Sequence, residues 1–166
     1  CHMKALLFGT TLLCLLASPA QAQLRKVNDI SLAAASKLAD TAMAACQAQG
    51  RHIVVTVLDR GGNIVAVQRA DGVGPHNTDA SRRKAYTALS TKNDTQALAV
   101  AARDNPDMAN LTTVPELLLL GGGLPLRAKG DIVGAIGVAG GGGAQQDRAC
   151  ALAALAAIPE LDSPTL

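Results

Sequence analysis

The sequence predicts an α+β fold, a mostly antiparallel five-stranded sheet with helices packed on it. Three observations carry this. Apolar residues recur at helical spacing in 31–49, and an alanine-rich helical stretch follows at 144–158. Between them lie two pairs of short apolar runs, each joined by a tight turn: 53–58 with 64–69, and 124–126 with 132–138. Nothing repeats and no linker intervenes, so the order reads α-ββ-αα-βββ-α in one domain.

Residues 1–22 stand apart from that domain. Lys4 precedes an apolar run from Ala5 to Leu16, and Ala20-Gln21-Ala22 gives a small-x-small ending. This is the pattern of a secretory signal cut after Ala22, and the run is too short to span a bilayer comfortably. Cys1-His2 ahead of Met3 read as an expression scar. The expected mature chain is 23–166, one domain without a membrane span and with a periplasmic or secreted address.

Composition narrows the function classes. The whole chain has a net charge of +2, one tyrosine, one phenylalanine and no tryptophan. Phe8 falls in the signal segment, which leaves Tyr86. With neither a basic field nor stacking rings, nucleic acid is not an expected partner. A core of Ala, Val, Leu and Ile with many glycines packs closely, so a pocket is expected at the surface or between subunits. Cys46 and Cys150 both lie in alanine-rich helical segments. An oxidising compartment permits a bridge, two buried free thiols are the rival reading, and spacing does not decide between them. Neither has a second cysteine or a histidine at metal-ligand spacing, so zinc is not supported.

Helix 31–49 has Asn28, Asp29 and Ser31 as candidate caps, an apolar face including Leu38, Ala42 and Cys46, and Gly50 to end it. The run 53–58 is apolar apart from Thr56, which predicts cover on both faces. Asp59 to Asn63 makes the hairpin turn, with the Asp59 carboxylate capping backbone N–H groups. A helix then runs from the candidate caps Asn77, Thr78 and Asp79 to about Ser90. Another spans about Thr95 to Arg103, stopped by Asn105-Pro106-Asp107. Residues 110–115 form a loop, and Leu117 to Leu120 read as a short buried strand. Strand 132–138 alternates large and small, placing Gly134 and Gly137 on opposite faces, where backbone or a ligand comes close.

Three places invite chemistry. The glycine runs 121–123 and 140–143 resemble phosphate cradles, and the second precedes a helix. No Walker lysine follows and the dinucleotide spacing is incomplete, so mobile turns that let strands approach are the better reading. Asp147 and Arg148 then supply first-turn charge and solvation. A nucleophile with a base lacks any Gly-x-Ser-x-Gly elbow, and His52 reads as an exposed edge residue. The third place is 69–92, where His76 sits in a glycine-rich turn ahead of Arg82, Arg83, Lys84 and Tyr86. Imidazole ligates iron, and guanidinium pairs with carboxylates such as haem propionates. At about 100° per residue, Arg82 shares a face with Tyr86 and Leu89, pointing partly inward. Arg83 follows Thr87 and Ser90 outward, and Lys84 goes with Ala80 and Ala88. At most two of the cations serve one anion. On residue chemistry alone, the commoner arrangement is a solvated helix with a loop histidine bonded to backbone.

Five segments together change that balance: Val57-Leu58-Asp59-Arg60-Gly61-Gly62, Arg69-Ala70-Asp71-Gly72, Ala80-Ser81-Arg82-Arg83-Lys84-Ala85-Tyr86-Thr87-Ala88, Gly121-Gly122-Gly123-Leu124-Pro125 and Ile132-Val133-Gly134-Ala135-Ile136-Gly137-Val138. In this order, over nearly all of 23–166, they resemble the GlcG/HbpS-like haem-binding family, which includes the C-terminal domain of PduO-type proteins. The resemblance implies a compact sandwich of profilin-like layering, oligomeric assembly and, in some members, haem binding with haem breakdown. Some members use a histidine near the first helix. Helix 31–49 has none, so no ligand carries over, and His76 comes from this chain's own loop.

The expectation is an extracytoplasmic homo-oligomer that binds, senses or stores haem. His76 is its axial ligand, Arg82 and Arg83 neutralise the propionates, and Tyr86 lies alongside. One alternative is an enzyme that degrades haem or acts on a small carboxylate gripped by Arg83 and Lys84. The other is a non-catalytic assembly partner of a metabolic pathway.

Overall fold

A computed structural model describes residues 23–163; residues 1–22, on which the scar and signal expectations fall, and residues 164–166 lie outside the described residues. Helical spacing of Leu and Ala produces α1, Leu32–Gln47, whose N-cap Ser31 accepts a hydrogen bond from the Ala34 N–H at 3.2 Å. Gly50, at φ 68°, takes the left-handed turn beyond it. The hairpin follows as β1, Val54–Asp59, and β2, Ile64–Arg69. Asp59 holds the turn as expected. Its Oδ1 accepts from the Gly61 and Asn63 N–H groups at 2.8 Å each, and Oδ2 accepts from the Asn63 amide at 2.9 Å. Burial alone would raise this carboxyl, but the hydrogen bonds outweigh it and hold its pKa below the usual value.

Next come α2, His76–Thr91, α3, Thr95–Asp104, and a 3₁₀ stretch, Pro106–Thr113; β3, Gly123–Ala128, β4, Asp131–Ala139, and α4, Ala144–Leu155, complete the order. The strands pair antiparallel throughout, in the order β2-β1-β4-β3. The class is α+β with four strands among the described residues, not five. The missing strand is 117–120, whose backbone groups are claimed by side chains of the neighbouring helices. The Leu118 N–H donates to Thr87 Oγ1 at 2.8 Å, and the Leu117 carbonyl accepts from Arg83 Nη2 at 2.9 Å. Likewise, the Leu120 carbonyl accepts from Thr95 Oγ1 at 2.8 Å. Apolarity without alternation did not distinguish a strand from a loop tied down in this way.

The two faces of the sheet are covered differently. Val55, Val57, Leu126, Ile136 and Val138 meet α1 and α4, which bring Leu38, Ala42, Ala151 and Leu155. A Cys46–Cys150 disulfide joins those helices, with S–S 2.04 Å and Cα–Cα 5.6 Å, and settles the reading left open by the sequence. Across the sheet α2 lies on β1, β4 and β3 and buries Ser81, Lys84, Ala85 and Ala88. Only glycine permits this approach: a Cβ at Gly137 would strike the Ser81 carbonyl, and one at Gly123 the Lys84 carbonyl. Gly121 to Gly123 are therefore buried contacts rather than mobile turns.

An ion pair fixes α2 in place. Lys84 Nζ lies 2.7 Å from Asp147 Oδ2 of α4 and 3.0 Å from the Val138 carbonyl of β4. The two side chains are 1% and 5% exposed, and Asp147 Oδ1 accepts the Gly141 N–H at 2.6 Å. Asp147 is a buried partner, not a solvated first-turn charge, and Arg148 pairs with Asp94. Burial lowers the Lys84 pKa by more than Asp147 restores it.

Replacing Cys46 and Cys150 together by Ala releases a crosslink across 104 positions and is expected to cost about 4 kcal/mol, read from urea unfolding. Lys84→Met leaves Asp147 buried without its cation, an expected loss of about 3–5 kcal/mol. Combining it with Asp147→Leu should recover part of that loss, and a single-variant loss below about 1 kcal/mol would refute the role given to the pair. Asp59→Asn should cost about 1 kcal/mol at neutral pH. Because the native pKa lies below the unfolded one, the carboxylate's benefit is full above the unfolded value of 3.8 and is lost as pH falls through the native value. The gap in thermal midpoint between parent and variant should therefore close in acid.

Candidate functional site

Helix α2 carries the expected site residues but spreads them out. With about 1.5 Å and 100° per residue, Arg83 falls on the His76 stripe about 10 Å further along. Arg82 and Tyr86 share a second stripe, and Tyr86 stands about 15 Å from His76 along the axis. The structure does not bring the four to one point.

His76 is the first residue of α2. Pro75 occupies the N-cap without a side-chain cap bond, and Asn77, Thr78 and Asp79, expected as caps, lie inside the helix. Asn77 Nδ2 instead donates back to the Gly74 carbonyl at 3.1 Å. The His76 ring is exposed and folds over Gly74, where a Cβ would come within 3.1 Å of its Cε1. Side-chain hydrogen bonds in this turn come from Arg69, Asn77 and Ser81 and leave the imidazole out. Beside it opens a polar cleft of about 320 Å³ formed by Arg51, His52, Val73, Asn77 and the backbone of Gly72, Gly74 and Gly140 to Gly142. His76 flanks this cleft without lining it. His52 is exposed as expected, but it lies just ahead of β1, an inner strand, and not at an edge of the sheet.

The cations are already engaged. Arg82 places Nη1 and Nη2 3.1 Å from Glu116 Oε2, with Nη2 also 3.0 Å from Asp79 Oδ1. Burial would lower its pKa, but the two carboxylates raise it. Arg83 does not point freely outward. Its Nη2 donates to the Pro115 and Leu117 carbonyls at 2.7 and 2.9 Å, and its Nε is buried without a partner. Both side chains hold the segment 115–117 against α2. Lys84, sealed against Asp147, is in no position to grip a substrate carboxylate, which corrects that part of the enzyme reading. Tyr86 is half-buried and lines a cleft of about 270 Å³ with Arg60, Gly62, Leu89, Ser90 and Ile132.

Sequence reasoning missed the Lys84–Asp147 pair, since no motif links residues 63 positions apart. It also missed Arg51, whose Nη1 donates to the Gly141 carbonyl at the floor of the polar cleft. Among the described residues no three His, Cys, Asp or Glu side chains gather as a metal cluster, and no helix is long and apolar enough to cross a membrane.

The family described as haem degrading protein HbpS-like matches residues 30–156. A Citrobacter freundii protein, described as an uncharacterized 15.0 kDa protein in the dhaT-dhaS intergenic region, is 34% identical over 139 residues, or 82% of this chain and 97% of its own. The crystal structure of a double mutant of HbpS from Streptomyces reticuli is 39% identical with a TM-score of 0.75, covering 84% of this chain and 96% of that one. The structure of a PduOC:heme complex shares the fold, with a TM-score of 0.74 at 23% identity over 82% of this chain and 99% of that one. By the span of the family match and the identity of these relatives, the chain belongs to the HbpS-like family.

Proposed function

We propose that the protein binds haem outside the cytoplasmic membrane as a homo-oligomer, for storage or sensing, with His76 as the axial ligand. The observation that carries this is the match to a family described by haem degradation, over residues 30–156. The chain adds support at two points. His76 offers an exposed imidazole outside the hydrogen bonds of its own turn. One imidazole suffices where the porphyrin brings the iron's other nitrogens with it. The Cys46–Cys150 bridge suits an oxidising compartment, in line with the signal pattern of residues 4–22. The propionate role of Arg82 and Arg83 fits less well, because both guanidinium groups are occupied. Haem breakdown is the second reading, favoured by the family's description.

Titrating haemin into the purified protein should give a saturating Soret band, and His76→Ala should weaken binding at least about tenfold, roughly 1.4 kcal/mol, and move the band. No band sinks the haem reading, and an unchanged His76→Ala titration sinks the ligand assignment alone. A band that persists on incubation with a reductant marks storage or sensing; one that decays marks breakdown.

A further inference from the structure

The glycine run 140–143 leaves room for particular neighbours. A Cβ at Gly140 would come within 2.8 Å of Val73 Cγ2 and 3.0 Å of the His52 carbonyl, and one at Gly142 would strike Arg51 Nη1. Gly140 to Gly142 thus form a wall of the polar cleft of about 320 Å³ and make space for Arg51 in it. His52 and Asn77 line the same cleft, and the His76 ring folds over Gly74 beside it.

Arg51 is fixed in place but not neutralised. Its Nη1 donates to the Gly141 carbonyl, which is a dipole and not a countercharge. Among the described residues its Nε and Nη2 have no acceptor. Those two N–H groups lie side by side, on the edge of a guanidinium that takes a carboxylate in two parallel bonds. A second guanidinium stands near, since Arg69 Nη2 donates to the carbonyl of Val73, another residue of the wall, at 2.7 Å. Neither arginine belongs to an ion pair among the described residues.

No Asp or Glu lines the cleft. Asp147 lies behind Gly141 but is matched by Lys84. Asp71 shares an adjoining hollow with Arg51 and His52, yet it is exposed and in none of the described ion pairs. The local balance is positive.

We propose that this cleft is a carboxylate site, with Arg51 as the charge partner of the bound acid. Its volume stands at the low end of small-molecule pockets, which suits a short organic acid or one acid arm of a larger ligand. The arm would be a propionate of a porphyrin ligated by His76, and the short acid a free dicarboxylate. Only the first source rests on the haem reading.

Haemin, its dimethyl ester and succinate separate these cases. By Soret titration the parent chain should bind the ester at least about tenfold less tightly than haemin. Arg51→Met should abolish that preference without moving the band, and Arg51→Lys should restore part of it. Succinate should shift the amide resonances of Gly72, Gly74 and Gly142 saturably in the parent chain and not in Arg51→Met. Succinate bound without any porphyrin supports the site, with a free acid as its ligand, and sinks the haem reading alone. Equal affinity for haemin and ester, with no response to succinate, overturns the site and leaves haem binding standing. A preference for haemin that survives in Arg51→Met overturns it too, and a parent chain that binds none of the three overturns both. The comparison of haemin with its ester needs no variant, so a misfolded Arg51→Met does not shelter the proposal.

Discussion

Lys84 and Asp147 meet where α2, the end of β4 and the start of α4 converge, and the position of each depends on that contact. Removing an ammonium and a carboxylate from water costs several kcal/mol per ion, and their attraction offsets this only when the remaining donors and acceptors are also satisfied. Both conditions are met. Lys84 also reaches the Val138 carbonyl, and Asp147 uses its second oxygen for the Gly141 N–H. By the same reasoning the net gain over an apolar pair is small. What the pair supplies is register: a one-residue slip of α2 would turn Lys84 by about 100° away from Asp147 and leave the carboxylate buried alone. Gly141 belongs to this arrangement, since a Cβ there would stand 2.7 Å from Asp147 Oδ1.

Close approach has a consequence for ligands. Where α2 crosses β4 and β3, helix backbone sits against strand glycines, and the opposite layer is filled by Ala, Leu and Val. Interiors packed from small side chains leave no slot for a flat ring the size of a porphyrin. A large ligand must therefore be met at the surface. Most of α2 is unavailable for that: one stripe is pressed on the sheet, and Arg82 and Arg83 hold segment 115–117. The N-terminal turn of α2 is the part that stays uncovered, with an exposed imidazole.

How much of this could be read beforehand follows from the range of each interaction. The cap at Ser31, the stop at Gly50 and the Asp59 turn depend on residues within four positions, and all three stand as expected. Gly137 was expected to allow a close neighbour, and that neighbour is the backbone of α2. Failures came where a distant partner decided the outcome. Leu117 to Leu120 carry the composition of a strand but are captured by Thr87, Thr95 and Arg83. A helical wheel put Lys84 on the small-residue face without saying that this face is buried against a carboxylate from α4. Nor did it place segment 115–117 over Arg83. The cysteines needed the packing of α1 on α4 before their bridge became a geometric fact.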